Sequence, residues 1–126
     1  SQLGTLADLL DWSEAVPGIR PCIDFSHHYA RFLGAPNDYE TFRGMLRSVR
    51  RRLGAAALAR LHVHISGIEF GPRGERRHLP LTKSRFRYRE LLRALRDEQV
   101  SGWVVCESPE MEDDALRLQR AYRRLA

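Results

Sequence analysis

The sequence predicts an α/β fold: parallel βα units forming roughly the C-terminal half of a TIM (β/α)8 barrel. Three observations carry that expectation. Helical and strand patterns alternate along the 126 residues, as they do where parallel strands are joined by helical crossovers. Three short strands, at about 19–25, 60–66 and 102–107, recur about 40 residues apart. Each ends in polar residues on the face opposite its main aliphatics, which is where barrel chemistry sits. Three units are too few to close eight strands, and a helix with no strand before it comes first. The chain is read as a single partial-barrel domain, 1–126.

The central strand is the clearest. Leu61, Val63 and Ile65 alternate with His62, His64 and Ser66, so the aliphatics share one face and the histidines the other. Before it, Thr5 caps a helix running to about Val16, with Leu6, Leu9, Leu10 and Trp12 on its apolar side; Pro17-Gly18 ends it. In the first strand Ile19, Pro21, Ile23 and Phe25 share one face and Arg20, Cys22 and Asp24 the other. Residues 26–31 follow, and a loop leads through Gly34, Pro36 and Asn37 to a helix at about 38–53. Phe42, Met45, Leu46, Val49 and Leu53 make its stripe, and Arg47, Arg50, Arg51 and Arg52 crowd its end, where the helix dipole favours cations.

After the central strand the pattern predicts a polar loop, Gly71 to His78. A loop of that length in a small domain points to function. A helix at about 85–97 turns Tyr88, Leu91, Leu92 and Leu95 inward. The last strand leads to Ser108, an expected helix cap, with Pro109 in the first turn. Met111, Ala115, Leu118, Tyr122 and Leu125 form a stripe expected to be core.

Composition narrows the class. Hydrophobic residues make up 43% of the chain, enough for one modest core. No apolar run approaches the roughly 20 residues that span a bilayer, and the first residues lack the pattern of a signal peptide, so a cytoplasmic protein with no membrane role is expected. Cys22 and Cys106 lack metal-thiolate spacing and are expected as reduced structural thiols. Net charge is +5 and Lys83 is the only lysine. Arginine forks bind phosphate well, and a basic chain suits nucleic acid.

One parity rule gathers the candidate site. Asp24, His62 or His64, and Glu107 fall at or near strand C-termini, on the face away from the main aliphatics. Two carboxylates and an imidazole in a sheltered cup suit zinc, manganese or a similar cation. His62 and His64 lie about 7 Å apart along the strand, so the choice between them stays open. His27, with Glu75 and His78 from the long loop, offers a second ion its ligands. Two-metal sites suit phosphate ester hydrolysis, because one ion generates hydroxide while the others clamp the developing charge.

These same residues carry a resemblance. The runs Pro21 to His27, His62 to Leu81 and Val104 to Pro109 resemble the endonuclease IV family, the metal-dependent apurinic/apyrimidinic endonucleases on the xylose isomerase-like barrel. The opening Ser1-Gln2-Leu3-Gly4 resembles the segment after that family's fifth strand, so the likeness covers this chain and the last three strands of eight. The resemblance implies zinc as cofactor, two or three ions in the intact parent, with manganese as the alternative. It implies that Asp24, His62 (or His64) and Glu107 hold one ion, with Glu107 catalytic. It gives His27, Glu75 and His78 to another, and abasic DNA as the partner, met by Arg73, Arg76 and Arg77. A bridging glutamate belongs a few residues before Ser1, so the fragment alone is expected to be inactive. The family's loop reads Asp-x-His, where this chain has Glu75-Arg76-Arg77-His78, a longer acid and an extra residue. Two other readings stand beside it: a one-metal sugar isomerase or epimerase of the same superfamily, and a non-catalytic half-barrel. In both half-barrel readings the partner is the missing N-terminal half, or a second copy through open strand edges.

Overall fold

A computed structural model describes residues 4–125; the likeness at Ser1-Gln2-Leu3 lies outside them. Helix α1 (Leu6–Ala15) starts with a capping box in which Thr5 and Asp8 exchange hydrogen bonds. Strand β1 (Cys22–Asp24) is followed by α2 (Phe25–Arg31), α3 (Tyr39–Leu53) and α4 (Ala55–Ala59). Strand β2 (Leu61–Ile65) leads to β3 (Gly67–Gly71), β4 (Gly74–Leu79), a 3-10 turn (Leu81–Lys83), α5 (Tyr88–Asp97), β5 (Gly102–Cys106) and α6 (Glu112–Arg123).

β1, β2 and β5 form one parallel sheet with β2 in the middle. This is the expected class, a parallel α/β sheet consistent with part of a barrel. The two faces differ sharply. Ile23, Leu61, Val63 and Ile65 are buried with Phe42, Leu46, Val49, Leu91 and Leu95 from α3 and α5. The opposite, inner face carries Cys22, His62, His64, Trp103 and Val105, and Trp103 is 66% exposed. Gly102 opens β5 at φ +122°, where a Cβ would run into the Leu61 backbone. Only glycine lets β5 start flush against β2.

Several local expectations change. The first strand is Cys22–Asp24, not 19–25. Pro21 has no N–H for the ladder, and Asp24 ends the strand by capping α2: its Oδ1 accepts from His27 N at 2.9 Å. The loop expected at 71–78 is an antiparallel hairpin, β3 with β4. Ile68 is buried and Phe70 packs edge-on to Tyr29 at 5.2 Å, so a strand period hid inside a polar run. Helix α4, a short Ala-rich turn, has no counterpart in the reading of the sequence. The last helix begins at Glu112, not at Pro109. Ser108 instead donates to buried Asp114 Oδ2 at 2.5 Å, and Asp114 Oδ2 also accepts from Leu81 N at 2.8 Å. The α6 stripe is mostly not core. Leu118 is buried and Leu125 half-buried, while Met111, Ala115 and Tyr122 are exposed.

Candidate metal centre

The strand register puts the polar ends together. Asp24 is paired with His64 across β1 and β2. Glu107 follows directly on β5, and its N–H donates to Ile65 O at 2.9 Å. A serine clamp ties the first two ends: Ser26 Oγ donates to Ser66 O (2.7 Å) and accepts from Ser66 N (2.8 Å), all of it buried.

Two groups of donors result, each with ligand atoms within 4.8 Å of one another: Asp24, His64 and Glu107, and His27, His78 and Glu107. His64 Nδ1 is 3.2 Å from Glu107 Oε1 and 3.9 Å from Asp24 Oδ2. His27 Nδ1 is 2.7 Å from Glu75 Oε2, and its Nε2 is 3.6 Å from Asp24 Oδ2. His62 is not in either group; it stands beside Cys22 and its ring meets that of His64 at 5.1 Å. Of the two histidines left open by the sequence, His64 is the one among the carboxylates. His28 is in neither group; its ring packs on Phe32 at 4.8 Å, and burial pushes its pKa down.

The extra loop residue has a structural role. Glu69 pairs with Arg77 and Phe70 with Glu75, so Arg76 is the unpaired residue of a β-bulge. On a regular strand Glu75 and His78 would point to opposite faces, since the period is two. The bulge shifts the register by one, and His78 Nε2 comes to 3.7 Å from Glu75 Oε1. The sequence groups Glu75 with His78 on a loop; the bulged hairpin that brings them together is what the polar run conceals.

The hydrogen-bond partners of the rings bear on whether the group fits a cation. His78 Nδ1 lies 2.8 Å from Glu107 O, a carbonyl that only accepts. That places a proton on Nδ1 and turns Nε2 toward His27 Nε2, 3.1 Å away. His27 then has a carboxylate at one nitrogen and acceptors at the other. Three carboxylates meet the rings of His27, His64 and His78 here, an acceptor-rich set that favours positive charge at its centre. Asp24 agrees: burial pushes its carboxyl up and nearby Glu107 adds to that, while the His27 N–H and ring pull it down, with a net rise. The donor set of imidazoles and carboxylates fits zinc or manganese.

Beside Asp24 and His27 a cleft of about 750 Å³ opens, lined by Cys22, Arg31, Arg73 and Glu75 among others. Of the three loop arginines, Arg73 reaches this cleft. Arg77 pairs with Glu69 at 3.2 Å on the hairpin surface, and Arg76 lies against Gly71. Among the described residues, no helix is long and apolar enough to cross a membrane.

A family model described as xylose isomerase-like TIM barrel matches residues 1–125. An uncharacterized protein of Methanocaldococcus jannaschii is 53% identical over 107 residues, 85% of this chain. The chain spans 39% of the length of that relative. No solved structure matches the chain.

Proposed function

Since the chain belongs to the xylose isomerase-like TIM barrel family, we propose that it supplies the C-terminal part of an endonuclease IV-like barrel. The parent would hydrolyse a DNA phosphodiester at abasic sites. The observation that supports this most is the convergence of Asp24, Glu75 and Glu107 with His27, His64 and His78 at the strand ends. A one-metal isomerase needs one such group; here Glu107 belongs to two. Asp24, His64 and Glu107 would hold one cation, and His27, His78 and Glu107 a second, with Glu75 on His27. When bound, the ions would lower the pKa of water and offset charge on the phosphoryl oxygens.

The protein's own residues do the rest. Glu107 O holds His78 in one tautomer, and the His27 N–H holds the Asp24 carboxylate in line. Arg73 at the cleft mouth would take a flanking phosphate, positioning rather than reading sequence. Both thiols are free, in keeping with a reducing compartment such as the cytoplasm. The partners proposed are abasic DNA and the N-terminal part of the barrel.

Manganese tests the centre, because it prefers oxygen and imidazole donors to thiolate. After loading with Mn²⁺ and dialysis, elemental analysis of the wild-type chain is expected to show bound manganese, lost in Asp24→Asn/Glu107→Gln. Manganese retained by the double variant, or absent from the wild type, would overturn the assignment.

A further inference from the structure

The inner face carries a second donor set, two of whose members, Cys22 and His62, the hydrolytic reading leaves unused. Cys22 and His62 are register partners on neighbouring parallel strands, so both side chains project from the same face. They sit one row below the Asp24–His64 pair. A ligand atom from each of Cys22, His62 and His64 lies within 4.8 Å of the other two. The edge-to-face contact of the His62 and His64 rings holds both imidazoles over this row. Cys22 is an exposed thiol on the inner face, whereas Cys106 lies in register with Ile65, on the helix-facing side of the sheet. Only one of the two cysteines therefore has imidazoles beside it.

We propose that Cys22 and His62 form a separate site for a soft cation of the zinc or cadmium class, with His64 as the ring shared between rows. The chemistry separates it from the carboxylate centre above. Thiolate selects soft ions, whereas carboxylates hold harder ones. Binding breaks the Cys22 S–H bond, forms a sulfur–metal bond and releases the proton to solvent, with no change of oxidation state. Such an ion would pin β1 to β2 beneath the strand ends that carry the carboxylates. The site goes beyond the proposed hydrolytic function and stands without it.

The test is a Cd²⁺ titration of the reduced 126-residue chain, followed by thiolate-to-cadmium charge-transfer absorbance in the ultraviolet. Wild type is expected to saturate at one equivalent. The band should persist in Cys106→Ser and in Asp24→Asn/Glu107→Gln and vanish in Cys22→Ser. That last change is small and at an exposed position, and far-ultraviolet circular dichroism checks that the fold is kept. His62→Ala should weaken binding by about tenfold or more, since removing even a residue that only orients a ligand costs that much. No band in wild type, a band in Cys22→Ser, or unchanged affinity in His62→Ala would each overturn the site. Loss of manganese binding with this band intact would remove the hydrolytic reading alone.

Discussion

Glu98, at the C-terminal end of α5, is 2% exposed and sits at the meeting point of three arginines. Its Oε1 accepts from Arg43 Nε (2.7 Å) and Arg47 Nε (2.8 Å), and its Oε2 from Arg50 Nη1 (2.8 Å). Burial alone pushes its carboxyl up, but the hydrogen bonds from Arg43 and Arg47 outweigh it, and the net pKa lies below the usual glutamate range. The unfolded chain therefore takes up this proton at a higher pH than the folded one. The ionised group contributes stability above the ordinary glutamate value of about 4.3, and that is lost as pH falls through the lower folded value. Because the arginines are partly exposed, Glu98→Gln is expected to cost about 2 kcal/mol at neutral pH. It should also flatten the acid limb of a urea-unfolding series below about pH 4. An unchanged acid limb would show that the cluster does not link α3 to α5 energetically. In the sequence, Arg47 and Arg50 read as cations favoured at a helix end; nothing in one helix tells which acid another helix will turn toward it.

At the scale of elements, period-two and period-3.6 patterns carried the strands and the α3 stripe, because each reflects one face meeting one core. The hairpin was not legible for the opposite reason. Arg73, Glu75, Arg76 and Arg77 leave only Ile68 and Phe70 to mark a face, and the bulge at Arg76 breaks the period. In the candidate centre, parity picks out Asp24, a histidine of the central strand and Glu107 as residue types at strand ends, whereas His27, Glu75 and His78 lie outside its reach. The pairing of His64, rather than His62, with the carboxylates depends on register, which sequence does not state. Gly102 offers the test at this scale. Alanine there must adopt φ +122° and place its Cβ against the Leu61 carbonyl oxygen, so β5 has to leave β2 at its start. Gly102→Ala is expected to destabilise by about 2–4 kcal/mol. In urea unfolding the midpoint should fall with the slope unchanged. A loss under about 0.5 kcal/mol, ordinary for a surface change, would mean that β5 tolerates the shift.

Among the described residues the parallel sheet is open, with β1 and β5 as its edges. On β5, Trp103, Val104 and Val105 are 66%, 48% and 39% exposed, and Met111, Leu116 and Tyr122 of the following segment are exposed as well. An apolar parallel edge with unpaired N–H and C=O groups recruits another strand. The natural occupant we propose is the N-terminal part of the barrel; without it, a second copy is the next best. The isolated chain is therefore expected to associate with rising concentration in sedimentation velocity. Trp103→Lys/Val105→Lys, which places charge on the inner face of the edge strand, should return it to monomer with its far-ultraviolet circular dichroism unchanged. The same openness bears on chemistry. A cup closed on one side leaves its carboxylates and any bound cation in contact with bulk water, where charge is screened and catalytic electrostatics weaken. The chain alone is accordingly expected to nick abasic DNA not at all or barely, with Mn²⁺ or Zn²⁺ present. Metal-dependent nicking by the monomeric Lys variant would show that the three strands are sufficient, and the proposed need for the rest of the barrel would fall.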